Sequence, residues 1–375
     1  METIREIVKS CCNLCCCCCT YSESYVSLNG RRYNIKRLLG ESSLSFVYLV
    51  QQSGGTSSGG AISLGPVREL YALKRIRCPF GNVESISNAM REVENYRRFQ
   101  SPYIIALIDS QVAQEKDGSK TVSILLPFFP LGSLQDSIDR NLLKSTFISE
   151  SECLRIMMGI ARGLRCLHDP AAREQTGSDA ETAQDTVSMS YSEEAALLLD
   201  DTPLELDILS SQNTVATKSY IHRDIRPSNI LFSAEGLPII SDLGSCCKAD
   251  IKVTTRHQLS ELQEWVTDNC AMPYTAPELL NITLNSSVSC RADIWSLGCT
   301  CYTMLFGISP FERELQVSGV SLVYAACNAK FSFPQQTRYS DGLIQMIKSC
   351  IQVDPAARPD INELLSTLQD LQTSS

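Results

Sequence analysis

The chain lacks any run of about 18 consecutive apolar residues, so no transmembrane helix is expected. Its first residues lack the charged-then-apolar pattern of a secretory signal, and the expectation is a chain that stays in the cytosol. Basic residues are too few and too scattered for nucleic acid to be the main partner: 33 Lys and Arg stand against 42 Asp and Glu, for a net charge of -9. No glycine follows the initiator; Glu2 excludes N-myristoylation. A disulfide framework is missing as well. Of 18 cysteines, seven crowd residues 11–19 and the others are scattered through apolar segments without regular spacing, which fits free, mostly buried thiols. The sequons at Asn281 and Asn285 then carry no glycan. What is present is a soluble globular composition, 375 residues with 43% hydrophobic and 20% charged, enough for two lobes with their own cores.

Residues 1–32 read as a separate Cys-rich anchoring segment. Ile4, Ile7 and Val8 precede Cys11, Cys12, Cys15, Cys16, Cys17, Cys18 and Cys19, and positions 4, 7, 8, 11, 12 and 15 would share one helix face. An apolar, thiol-rich face points to multiple S-acylation, with the membrane and a palmitoyl acyltransferase as partners. Metal binding is the rival, but five consecutive Cys converge poorly on one tetrahedral ion, and no C-x-x-C pair finds a second at finger spacing. An unmodified, redox-prone tail is the third alternative.

The chain is organised around His222-Arg-Asp-Ile-Arg-Pro-Ser-Asn229, followed by Ile230, Leu231 and Phe232. Asp, Asn and Pro are also ordinary turn residues, so the octapeptide needs partners in order. They appear. Leu38 to Val50 reads as strand, small-residue turn and strand, with Gly40 and Val47. Ser53 to Gly60 is a flexible connection. Tyr71-Ala72-Leu73-Lys74 is an alternating strand ending in a lysine. A helix with Ile86, Met90, Val93 and Phe99 on its apolar face carries Glu92 and, toward solvent, Glu94. A turn at Lys116-Asp117-Gly118 joins two strands that lead to Leu125-Leu126-Pro127-Phe128-Phe129. Helical stretches surround Gly132 to Asp139 and Ile148 to His168. Residues 169–218 hold eleven acids and two bases, a net of -9 equal to that of the whole chain, and read as a mostly disordered acidic insert. Then follow Asp242-Leu243-Gly244, Ala276-Pro277-Glu278, Asp293-Ile294-Trp295 and Arg358.

This ordered set resembles the eukaryotic protein kinases, over about residues 33–370. The resemblance implies an α+β, bilobal protein kinase fold: a small β-rich N-lobe with helix C at 33–126, and a larger, mainly helical C-lobe at 127–370 that starts with the hinge and contains the 169–218 insert. It also implies ATP and Mg2+ as cofactors and proteins bearing Ser or Thr as substrates. Asp224 would take the proton of the substrate hydroxyl, and Arg226 would contact the γ-phosphate. Asn229 and Asp242 would hold magnesium. Gly40, Val47, Ala72, Lys74, Glu92, Pro127, Phe129 and Leu231 would bind ATP, with Leu126 as gatekeeper and Glu92 paired to Lys74. Arg223 could pair with a phosphorylated activation segment. Asp293 would brace the catalytic loop, and Arg358 would pair with Glu278.

Three features are similar to the Numb-associated kinases, in their small lipid-anchored branch: the LLPFF hinge, Asp-Leu-Gly-Ser, and an activation segment whose residues Arg256 to Asn269 carry Leu259, Leu262, Trp265 and Val266 at helical spacing. With Glu2 and the cysteine cluster, the chain resembles fungal members that rely on palmitoylation alone, on the cytoplasmic face of endomembranes, the vacuole first and the Golgi second. A role in membrane trafficking follows from that resemblance. Two positions depart from the Ser/Thr kinase pattern, Arg226 for Lys and Ala271 for Thr. The alternative is a catalytically weak kinase or pseudokinase scaffold, whose signature would be loss of Lys74, Asp224 or Asp242; all three are present.

Overall fold

The computed structural model of the chain describes residues 24–42, 44–53, 69–172 and 218–374. The cysteine cluster, most of the Gly/Ser-rich connection and all but the ends of the acidic insert lie outside the described residues. The chain divides into two compact units, Met1–Gly81 with Ile108–Phe128, and Asn82–Leu107 with Phe129–Ser375.

The first unit is one antiparallel sheet of β1 (Tyr25–Leu28), β2 (Arg31–Glu41), β3 (Ser45–Gln52), β4 (Leu70–Cys78), β5 (Asp109–Gln114) and β6 (Lys120–Pro127), in the order β1-β2-β3-β4-β6-β5. Asn29-Gly30 joins β1 to β2 with φ of 47° and 78°. Both central residues of a two-residue hairpin loop need positive φ if its twist is to match that of the strands, and Asn-Gly tolerates this at least cost. Leu28, Tyr33, Val50, Leu73 and Leu125 form a buried cluster, with Val26, Ile35, Tyr48 and Tyr71 packed on it. Each fully buried apolar side chain contributes about 1.5–3 kcal/mol. The folded unit therefore takes in a strand from the 1–32 range read as anchor, because Leu28 and Val26 pack in its core.

The second unit holds the helices. In chain order they are α1 (Val83–Arg98), α2 (Leu134–Lys144), α3 (Glu150–His168), α4 (Arg256–Asn269), α5 (Pro277–Leu280), α6 (Arg291–Phe306), α7 (Pro310–Ser318), α8 (Leu322–Cys327), α9 (Asp341–Cys350) and α10 (Ile361–Ser374). Capping is regular: Ser133, Thr255 and Ser309 each close a capping box, which satisfies two otherwise orphaned N–H groups per helix start. From Ala292 to Leu305 α6 is buried on every side, as its mostly apolar sequence requires, with the Ser296, Thr300 and Thr303 hydroxyls bonded to carbonyls one turn back. Among its short strands are β7 (Tyr220–Ile221), paired with Cys247–Lys248, and the hairpin of β8 (Ile230–Phe232) and β9 (Pro238–Ile240).

The helix that the resemblance puts in the small lobe, α1, groups with the second unit. Its buried side explains this. Besides Val93 it presents Glu92, Asn95 and Tyr96, and the Asn95 side-chain amide donates to the Leu243 and Cys246 carbonyls at 3.0 and 2.9 Å. Polar groups that bond to the 242–246 turn hold the helix there.

Candidate active site

The stretch from His222 to Asn229 runs between β7 and β8, so both its ends are fixed by strand pairing. Pro227, with φ preset and no N–H to satisfy, starts a single 3-10 turn at Pro227–Asn229. Asp293, wholly buried at the start of α6, organises the loop from beneath. Its Oδ2 accepts the His222 backbone N–H at 2.7 Å and sits 2.8 Å from His168 Nε2, while Oδ1 accepts the Arg223 N–H at 2.8 Å. Burial alone would push this carboxyl up, but the bonds and charge from His168 and His222 outweigh it and hold the group below the usual carboxylate range. The Asp224 N–H donates to His222 Nδ1 at 3.3 Å, so Nε2 carries the proton and donates to the Ser241 carbonyl at 3.2 Å.

Asp224 is the buried carboxylate of the loop. Its Oδ2 accepts from the Asn229 amide at 2.7 Å and from Arg226 Nε at 3.1 Å. The same amide also bonds the Asp224 carbonyl at 2.9 Å. These bonds all leave Oδ1 clear. Burial pushes the Asp224 carboxyl up; Arg226 and His222 offset part of that, and Asp242 adds to it. Asp224 and Asp242 therefore share one field.

Asp242 follows β9 in the left-handed region, φ 58°, where Asp is one of the few side-chain-bearing residues tolerated. The Ser241 N–H and hydroxyl both donate to the Asn229 carbonyl at 2.9 Å, which holds Asn229 and Asp242 at the same end of the β8–β9 pair. Gly244 is required by what surrounds it. A Cβ there would stand 3.0 Å from Glu92 Oε2 and 3.3 Å from Asp242 Oδ1. Glu92 is buried and accepts the Tyr96 hydroxyl at 3.1 Å, whereas Glu94 lies on the surface paired with Arg97.

In the first unit, register sorts the expected nucleotide residues. Gly40 faces Val47, Val47 faces Lys74 and Lys74 faces Ile124 in one row across the sheet, with Leu49, Ala72 and Leu126 in the next row but one on the same side. The turn before β3 is closed by Ser42 and Ser45, whose backbone and hydroxyl bonds are both 2.8 Å, where the kinase pattern has glycines. Pro127 ends β6, Phe129 begins the second segment of the second unit, and Leu231 lies half-buried on β8 opposite Ile239.

Oxygen donors from Asn229 and Asp242 suit magnesium, which takes one or two carboxylates plus substrate phosphates rather than an all-protein cage. Among the described residues no group of three His, Cys, Asp or Glu converges.

Arg223, expected to be able to pair with a phosphorylated segment, is engaged within the chain in this structure. Its backbone is left-handed, φ 69°, and its Nε donates to the Ser245 carbonyl at 2.7 Å. Its guanidinium lies 3.3 Å from the ring centre of Trp265 on α4. That helix spans the predicted residues, with Leu262 and Val266 buried. The sequence reading placed Trp265 on it but missed this contact; the only signal was an aromatic at helical spacing next to two core positions. It also missed His168 and Asn95. Arg358 and Glu278 form the expected pair, bidentate at 2.7 and 2.8 Å.

Residues 205–368 match the family model described as Protein kinase domain. The chain is 60% identical over 364 residues to Serine/threonine-protein kinase ENV7 of Saccharomyces cerevisiae, covering 96% of this chain and 97% of that one. It is 36% identical to Serine/threonine-protein kinase ppk13 of Schizosaccharomyces pombe and 33% identical to Serine/threonine-protein kinase 16 of Mus musculus, each over 94% of both chains.

Proposed function

The chain belongs to the protein kinase family and is a serine/threonine-protein kinase, and from that premise we propose a magnesium- and ATP-dependent enzyme in which Asp224 Oδ1 receives the proton of a substrate Ser or Thr hydroxyl. The observation that carries this is the asymmetry of the carboxylate. Asn229 and Arg226 hold Oδ2, which fixes the group and directs Oδ1 to the substrate. Magnesium-bound ATP, once bound, supplies the phosphoryl group and neutralises the charge that develops on it. The protein's own task is positioning. Asp293 orients the loop through two backbone amides, Asn229 and Asp242 present metal-seeking oxygens from one hairpin end, and Lys74 and Glu92 are assigned to the nucleotide phosphates and to holding that lysine. Arg226 keeps a cation beside Asp224 in the form of a fork. Asp224→Asn preserves shape and removes the base, and general-base contributions run to about 10²–10⁴ in rate. Equal phosphate incorporation by wild type and Asp224→Asn would overturn this role.

We further infer that the kinase works on the cytoplasmic face of endomembranes, the vacuole first and the Golgi second, within the lipid-anchored branch of the Numb-associated kinases and on trafficking substrates. The sequence feature that supports this is the run of seven cysteines at 11–19. One acyl chain of myristoyl size gives only marginal binding, so a cluster suits stable anchorage. Changing Cys15 to Cys19 together to Ser is expected to move the kinase from membranes to the soluble fraction and abolish a hydroxylamine-sensitive acyl label, with activity in vitro intact. A wild type without such label that still pellets with membranes would exclude the anchor.

A further inference from the structure

The aliphatic hydroxyls of α6 are those of Ser296, Thr300 and Thr303, and all three residues are buried. Their spacing, i, i+4 and i+7, puts them on one face of the helix. A buried hydroxyl inside a helix is ordinarily satisfied by the carbonyl one turn back. For Thr300 and Thr303 that is the short bond, 2.8 Å to the Ser296 and Cys299 carbonyls. Ser296 differs. Its hydroxyl stands 3.1 Å from the Ala292 carbonyl of its own helix but 2.8 Å from the Tyr274 carbonyl, so its one proton is directed out of the helix.

Tyr274 is held at its other end as well, because its phenol hydroxyl meets the Thr303 side chain further along the same face. The residue closes the 3-10 turn Met272–Tyr274. Its N–H donates to the Ala271 carbonyl at 2.9 Å, and the Thr275 hydroxyl donates to the same carbonyl at 2.9 Å. Met272, at the head of the turn, is 49% exposed. This turn runs beside the reacting carboxylate. The Cys270 thiol lies 3.7 Å from the Arg223 carbonyl, and burial first and the Asp224 charge second push it up to about 12. From the helix side, the Thr300 hydroxyl lies 3.4 Å from the carbonyl of Ile225, the residue after Asp224. One face of α6 thus borders both the base and the turn. A polypeptide whose hydroxyl reaches Asp224 Oδ1 passes the exposed turn, whereas a water molecule in the same place has no need of it.

We propose that Ser296, together with Thr303, is a positioning residue for the protein substrate: through Tyr274 it fixes the Met272–Tyr274 turn at a set distance from Asp224. The proposal rests on the reading of Asp224 as the base and concerns the acceptor alone, not the binding of ATP.

The test compares full chains of wild type, Ser296→Ala and Asp224→Asn, with a library of peptides carrying one central Ser or Thr as acceptor and, without peptide, with water as acceptor. Ser296→Ala removes the hydroxyl and adds no atom. It is expected to lower kcat/KM for the peptides about two- to tenfold, the weight of one neutral hydrogen bond, with the KM for ATP unchanged. The ratio of peptide to water transfer should fall by the same factor. A variant that loses both transfers equally would make the hydroxyl a general support of the loop, and one that loses neither would leave it without a role; either result would overturn the proposal. Thr303→Val and Tyr274→Phe give a second, independent measurement. Combined, they should cost no more than the worse of the two alone, since both act at one contact; fully additive losses would show that Thr303 does not work through Tyr274. Equal incorporation by wild type and Asp224→Asn would overturn the reading of the base, and that outcome is separate from a loss in Asp224→Asn with none in Ser296→Ala, which sinks the positioning role alone.

Discussion

The Arg223 guanidinium lies flat against Trp265, 3.3 Å from its ring centre, while its Nε is held by the Ser245 carbonyl. One side chain thus ties the catalytic loop, the turn after Asp242 and the activation-segment helix together without a phosphate. Phosphatase treatment should therefore leave activity unchanged within about twofold. Trp265→Ala removes a contact of about 0.5–2 kcal/mol, and the expected result is a several-fold loss of turnover together with faster proteolysis of the 250–270 segment. A phosphatase-sensitive wild type would show that the indole does not replace a phosphate.

The pH dependence follows from Asp224. Its carboxyl is pushed up chiefly by burial, and only the deprotonated form can accept the substrate proton. Activity should fall as pH drops through that raised pKa, with the acid limb of kcat/KM above the ordinary carboxylate range. Arg226 is the main influence holding the pKa down, so Arg226→Gln should move the limb to higher pH, whereas Arg226→Lys should leave it near its wild-type place.

Gly244→Ala should act on the metal rather than on folding. The new Cβ meets Glu92 Oε2 and Asp242 Oδ1, two carboxylate oxygens that must give way. A raised magnesium requirement is expected, with a melting temperature close to wild type. Unchanged magnesium dependence would mean that the Asp242 carboxylate keeps its place.

Arg358→Met should cost about 3–5 kcal/mol in urea unfolding, because it strands Glu278 in the core. The Arg358 side chain is wholly buried and the Glu278 side chain 10% exposed, so water cannot replace the lost partner. Arg358→Met combined with Glu278→Leu should recover part of the loss; a double variant no more stable than the single one would mean the cost lies in packing and in the lost bonds to the Gln352, Arg291 and Val353 carbonyls.

Deleting residues 175 to 213 should leave ATP turnover within a few fold. Both flanks of the insert, His168 to Pro170 and Ser219, line one cavity of about 330 Å³, so a short link can join them. Loss of folding in that deletion would give the insert a structural role.

What the sequence determined by itself was the chemistry and its order. Lys74, Asp224, Asn229, Asp242, Glu278, Asp293 and Arg358 stand in local motifs whose residue types the reaction or the core demands. The helix Arg256–Asn269 was legible too, since Leu262 and Val266 recur with a helical period. The Asn29-Gly30 hairpin was equally local, a strong turn signal flanked by alternating residues, but it was absorbed into the cysteine-rich segment before it. Tertiary structure alone decided the rest. The bonds from the His222 and Arg223 amides to Asp293 span 71 and 70 residues, and Arg223 meets a tryptophan one activation segment away, distances over which periodicity carries no information. The grouping of α1 with the second unit depended on Asn95 finding two carbonyls. The side taken by Arg37 on β2 depended on a bulge after Ile35, because one extra residue reverses the side to which a strand residue points, and only the paired strand shows where that residue was inserted.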